Sequence, residues 1–273
     1  MGKFKDWIVN WLTSMLAGFD GNVETAVRVL TEDIFTPANG MFQIAQDISN
    51  VIKPVALVII TILFLIEFLQ ITIKMDILKW EYALRVFAKF VLAKATIDVS
   101  VALMEAIYAT ASEWIVGSGS VGSSLGATVG LAIAPTLTNI SWYEALGLVT
   151  TMMLPFLGVW LVGLMIVVMA YARTFELMIY IAVSPLPCAF LVSENIRMTK
   201  RFFLSFASVC LQGLFIIISI KLYERICTTA ILSAITSSTN ISDIAFNMLL
   251  GALVLMMAVT KSGTWAKAIM DAV

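Results

Sequence analysis

The chain has 273 residues, with 17 Lys and Arg against 18 Asp and Glu, no His, and a net charge of −1. Apolar residues make up 60% and charged residues 13%, and the mean hydropathy is +0.98. Soluble domains run about 45–50% apolar and about 25% charged, so this composition excludes a soluble globule, a disordered tail and a secreted disulfide scaffold. It indicates an all-α, polytopic helical membrane protein.

Without His there is no imidazole base, no imidazole metal ligand and no His-based triad. Cys188, Cys210 and Cys227 lie in or beside apolar runs with no C-x-x-C spacing. They read as reduced packing residues, not as a metal or redox site. The charge balance leaves no basic footprint for reading nucleic acid. No catalytic, cofactor or metal site is expected.

No secretory signal pattern opens the chain. Instead Phe4, Trp7, Ile8, Trp11, Leu12, Met15 and Leu16 recur at helical spacing, with Lys5, Asp6, Asn10 and Ser14 off the stripe. Phe4, Trp7 and Trp11 read as interfacial anchors of a helix lying flat in the headgroup region. A core helix packed on later segments is the plain alternative. Two more amphipathic stretches, 23–35 and 41–52, flank the turn Thr36-Pro37-Ala38-Asn39-Gly40. Residues 1–53 are thus expected to form membrane-surface helices, and 54–273 a transmembrane domain.

Residues 54–73 match a bilayer crossing and carry one charge, Glu67. Residues 86–109 form a weaker span, interrupted by Lys89, Lys94, Asp98 and Glu105. At about 100° per residue, Lys94, Asp98 and Glu105 fall within roughly a 40° arc, a polar stripe that can face protein or water. The 110–144 region is an outer loop containing the Gly/Ser-rich run GSGSVGSSLGATVG. Residues 145–172 are an uncharged span holding Pro155. Arg173 and Glu176 interrupt, and 177–192 is apolar again but contains Ser184-Pro185-Leu186-Pro187. Residues 202–220 and 244–260 are the last spans.

Lys and Arg counts in short loops set the orientation. Lys74, Lys79 and Arg85 place loop 74–85 in the cytoplasm, and the charge-free 116–143 stretch lies outside. If 177–192 crosses fully, Arg197, Lys200 and Arg201 end up outside. If it is broken or re-entrant, those three and Lys261 and Lys267 are inside. The second solution is preferred: five full spans plus one proline-broken segment, with the N-terminus outside and the C-terminus cytoplasmic. Six spans is the alternative.

Three groups of residues stand out. Glu67 and Lys94 are expected at similar depth on antiparallel spans. With Asp98 and Glu105 they form an intramembrane charge cluster, either the wall of a polar pathway or a self-neutralising register device. Arg173 and Glu176 are spaced i,i+3 at a bend, as a surface turn or a buried pair. Pro185 and Pro187 lack N–H groups, so the Ile181 and Val183 carbonyls lose helical partners and the helix breaks at Ser184.

The order of these elements, with ARTFELMIYIAVSPLPCAFL at 172–191, resembles the TrbL-like polytopic inner-membrane subunit of type IV secretion, or conjugative transfer, systems. The resemblance covers roughly residues 40–260. It implies a scaffold or channel component in the bacterial inner membrane, with no catalytic residues to carry over. It also implies a homo-oligomeric ring in the lipid bilayer, pilin-like and bitopic membrane partners, and separate secretion ATPases, with DNA only as cargo. The N-terminal helices and the outer loop would carry the partner contacts. No G-x-x-x-x-G-K-[ST] occurs to supply energy. A small secondary transporter or ion channel built on the charge cluster is the alternative, against which stands the lack of an internal repeat. A membrane enzyme lacks a nucleophile–base set.

Overall fold

A computed structural model describes residues 2–36, 39–74, 80–117, 142–192, 196–236 and 241–272. Seven long helices and one short one follow in order among them. They are α1 (Gly2–Thr31), α2 (Gly40–Lys74), α3 (Trp80–Asp98), α4 (Ser100–Gly117), α5 (Trp142–Val183), α6 (Pro185–Ala189), α7 (Ile196–Thr236) and α8 (Ile241–Asp271). Among the described residues, four stretches are long and apolar enough to cross a membrane: Gly40–Gln70, Val149–Ala189, Arg197–Thr229 and Phe246–Asp271.

The exposed faces explain the composition. On α2 the buried stripe is Ser49, Ala56 and Ile60, while Val51, Val55, Val58, Ile62, Ile66 and Leu69 are exposed. α5 repeats this, burying Met152, Phe156, Val159 and Ile166 and exposing Leu154, Leu157, Leu161 and Val168. Apolar stripes of that length on an outer face suit hydrocarbon, not water.

The helices are longer than the sequence pattern indicates. α2 joins stretch 41–52 to span 54–73, with Pro54 inside it. Asn39 opens it, its Oδ1 accepting the Met41 N–H at 3.1 Å, as a helix N-cap does. α5 has 42 residues, about 63 Å at 1.5 Å per residue. It runs through Pro155, Arg173 and Glu176, so 145–172 and 177–183 form one helix, and no separate 177–192 element exists. Residues 86–109 straddle α3 and α4, which part at Val99. The ladder survives there: Val99 donates to the Ala95 carbonyl at 3.1 Å, and Leu103 donates to the Val99 carbonyl at 3.0 Å. The expected outer loop begins later than residue 110, because α4 continues to Gly117; residues 118–141 lie outside the described residues.

The chain forms two compact units. The first comprises Met1–Glu32, Ile115–Arg173 and Gln212–Trp265. In it Phe19, Val23, Ala26 and Leu30 of α1 are buried among residues of α5, α7 and α8. The Tyr223 hydroxyl donates to the Met248 carbonyl at 3.5 Å, and the Phe19 and Tyr223 rings meet edge-on at 5.8 Å. The second unit comprises Asp33–Trp114, Thr174–Leu211 and Ala266–Val273. It has two apolar clusters, one around Phe35, Tyr108, Ile181 and Phe206, the other around Ile60, Ile97, Cys188 and Val192.

Gly163 of α5 lies directly against α1 in the first unit. A Cβ there would stand 2.8 Å from Phe19 Cδ2 and 3.3 Å from Asn22 Cβ. Gly163→Ala should lower the melting temperature in detergent, since overpacking costs about 1–3 kcal/mol. At Gly21 a Cβ would meet nothing within 4 Å, so Gly21→Ala should hold or raise stability by up to about 1 kcal/mol. Scanning fluorimetry of the two variants checks the contrast.

Candidate functional site

The charge cluster assembles differently from its sequence reading. Glu67 on α2 pairs with Lys89 on α3 at 3.3 Å, with side-chain exposures of 14% and 34%. Lys94, Asp98 and Glu105 are exposed. The correction has a simple cause. α3 begins at Trp80, six residues before Val86. Glu67 lies 7 residues from the end of α2 (74 − 67), Lys89 lies 9 into α3 (89 − 80) and Lys94 lies 14 in (94 − 80). At 1.5 Å per residue these depths are about 10, 13 and 21 Å, so Lys89 is the one that reaches Glu67. Beside the pair, the Phe64 and Phe90 rings pack at 4.9 Å.

At the proline segment the helix is interrupted at Ser184 and resumes at Pro185. Ser184 keeps helical angles, φ −51° and ψ −31°, between α5 and α6. Its N–H donates to the Ile181 carbonyl at 3.3 Å, supplying the partner that Pro185 cannot. The chain then turns, with the Phe190 N–H on the Pro187 carbonyl at 3.3 Å and the Leu191 N–H on the Cys188 carbonyl at 3.2 Å. Thr199 of α7 is buried, and its hydroxyl donates to the Pro187 carbonyl at 2.6 Å. A side chain twelve residues away thus satisfies the turn from the next helix.

Arg173 is buried, 3% exposed, ten residues before the end of α5 (183 − 173). Its guanidinium lies against Gly213 of α7, where any Cβ would collide with it. Glu176 is half-buried one turn further along α5. Of the N-terminal anchors, Trp7 is exposed, Trp11 packs partly buried against the core of the first unit, and the Phe4 side chain lies outside the described residues. Cys188, Cys210 and Cys227 are buried, and none is in a disulfide.

Two concavities belong to the second unit. An apolar groove of about 220 Å³ lies between Met41, Ile44 and Ile48 of α2 and Phe175, Met178 and Ile179 of α5. A polar cleft of about 660 Å³ is lined by Arg197, Lys200, Arg201, Leu204, Ser205 and Asp271. Among the described residues, no group of three or more His, Cys, Asp or Glu could hold a metal ion.

The arrangement holds a buried charge, Arg173, and an interrupted helix in an apolar setting. Lys89, Thr199 and Gly213 escaped the sequence reading. Only Lys89 had a local signal, its depth measured from the true start of α3.

The family model described as TrbL/VirB6 plasmid conjugal transfer like protein matches residues 23–185. The match begins within α1 and ends at Pro185, so α7 and α8 lie beyond it. No curated protein and no solved structure matches.

Removing either partner of the α2–α3 ion pair should destabilise the protein, and Glu67→Ala with Lys89→Ala together should recover part of the loss. A coupling energy on the order of 1 kcal/mol is expected. The same cycle run with Lys94→Ala should give none, as read from melting temperatures. Separately, Thr199→Val should cost about 1 kcal/mol by removing the shorter of the two hydrogen bonds to the Pro187 carbonyl.

Proposed function

The chain belongs to the TrbL/VirB6 plasmid conjugal transfer-like family, and we propose that it is an integral membrane scaffold and channel subunit of a type IV secretion apparatus. The family match carries this reading. It spans 163 of the 273 residues (185 − 23 + 1) and takes in α2 to α5 with the start of the proline kink. In this reading several copies surround a path for DNA or protein, pilin-like and bitopic subunits dock on them, and separate ATPases supply the energy. Lys94, Asp98 and Glu105 support an assembly: a charged stripe exposed on an apolar helix needs a neighbouring chain or pore water to face.

The topology that fits has five crossings in the bacterial inner membrane: α2, the α3–α4 pair, α5 with α6, α7 and α8. The N-terminus is then outside and the C-terminus in the cytoplasm. Arg85, Arg197, Lys200, Arg201, Lys261 and Lys267 all fall on the cytoplasmic side, as the distribution of positive charge favours. Trp7 and Trp11 sit at the outer surface, where amphipathic aromatic residues are at home.

Deleting the gene from a donor cell that carries the conjugative element should abolish transfer, and a second copy supplied in trans should restore it. Transfer at the normal frequency without the gene would reject the reading. Pro185→Ala, Pro187→Ala protein should insert at normal levels but fail to support transfer, because restored N–H groups would straighten α5 through Ser184. Mating assays alongside membrane immunoblots separate loss of function from loss of protein.

A further inference from the structure

Three buried hydroxyl groups in the second unit share one level. Ser49 of α2, Ser100 at the start of α4 and Ser184 between α5 and α6 are each 0% exposed. None of the three side-chain oxygens has a hydrogen-bond partner. Other buried serines of this chain behave differently. Ser208, Ser219 and Ser262 donate to the Ser205, Phe215 and Val259 carbonyls at 2.7, 2.8 and 2.6 Å. That local bond is the ordinary answer for a helical serine in apolar surroundings.

The register places the three together. On α2, Ser49 comes four residues after Ala45 of one apolar cluster and seven before Ala56 of the other. Across α3 and α4, Ser100 comes three after Ile97 of the second cluster and four before Met104 of the first. Across α5 and α6, Ser184 comes three after Ile181 of the first and four before Cys188 of the second. Each serine therefore sits on the buried stripe of its helix, between the same two clusters. α2, α3 and α6 pack on one another in pairs. The layer also coincides with both helix interruptions, at Val99 and at Ser184.

We propose that these three hydroxyls hold buried water, forming a polar layer between two apolar ones at the level where both helices are interrupted. A hydroxyl donates one hydrogen bond and accepts others, so a neutral molecule that does both completes all three. A cation fits less well: the charges nearest the three serines along these helices are Asp47 and Asp98, both exposed, and Lys53, itself positive. The inference rests on packing and hydrogen bonding alone and does not depend on the transfer function.

Radiolytic hydroxyl-radical labelling of the unmodified protein in nanodiscs tests it, because side chains beside bound water are oxidised even when buried. Met104 and Cys188, each fully buried one turn from the layer, should be labelled. Met152, equally buried in the apolar core of the first unit, should not. Unlabelled Met104 and Cys188 would overturn the proposal. Alanine variants give a second reading. If water bridges the hydroxyls, Ser49→Ala, Ser100→Ala and Ser184→Ala each lower the melting temperature, and the triple variant loses less than the sum. Single variants that are neutral or stabilised would show a dry layer and overturn the proposal, as would a stability gain specific to sodium over potassium and choline.

Discussion

A peptide group in hydrocarbon has no water to bond, and the rest of the structure depends on that constraint. It explains why the described regular structure is helical and why the helices outrun the apolar segments that suggest them. Ending a helix in apolar surroundings leaves carbonyls unmet, so the chain continues until a donor is at hand. Where α5 does give way, the Ser184 N–H takes up the Ile181 carbonyl that Pro185 releases, and the Phe190 and Leu191 amides and the Thr199 hydroxyl take up the Pro187 and Cys188 carbonyls that follow. Threonines elsewhere follow the same economy. Thr61, Thr96, Thr110 and Thr151 each donate to the carbonyl four residues back.

The second consequence concerns what decides packing. When both faces of a helix are apolar, burial brings little differential gain, and close approach and polar contacts do the selecting. Small residues mark the contacts: Ala26, Ala56, Ala93, Ala170, Ala252 and Ala266 are fully buried. Gly213 gives the Arg173 guanidinium its space. Charges are placed, not spread: Glu67 and Lys89 meet across a hairpin whose rings at Phe64 and Phe90 pack beside them.

Much of the class was legible in the residues. Composition identifies a helical membrane protein, and spans 54–73, 202–220 and 244–260 lie within α2, α7 and α8. The aromatic-acid helix leading into Ser184-Pro185-Leu186-Pro187 points to the family that the match at 23–185 establishes. Other features were hidden for physical reasons. Hydrophobicity on both faces erases the moment that would reveal which side of α2 or α5 is buried. Arg173 looks like an interruption because the glycine that accommodates it lies forty residues away, on α7. The serine layer has no local signature at all: each serine is unremarkable on its own helix, and only the register of three helices brings them to one level.

Impermeant-thiol labelling of intact cells tests the central claim most directly, namely that α5 and α6 make one crossing between an outer and a cytoplasmic side. The three native cysteines are buried, so single cysteines placed at Gly117, Arg85, Arg197 and Lys267 report on their own positions. One crossing predicts labelling at Gly117 and protection at Arg85, Arg197 and Lys267 until the cells are opened. Labelling of Arg197→Cys from outside would contradict the account, because it would require the chain to cross the membrane twice between Trp142 and Ala189.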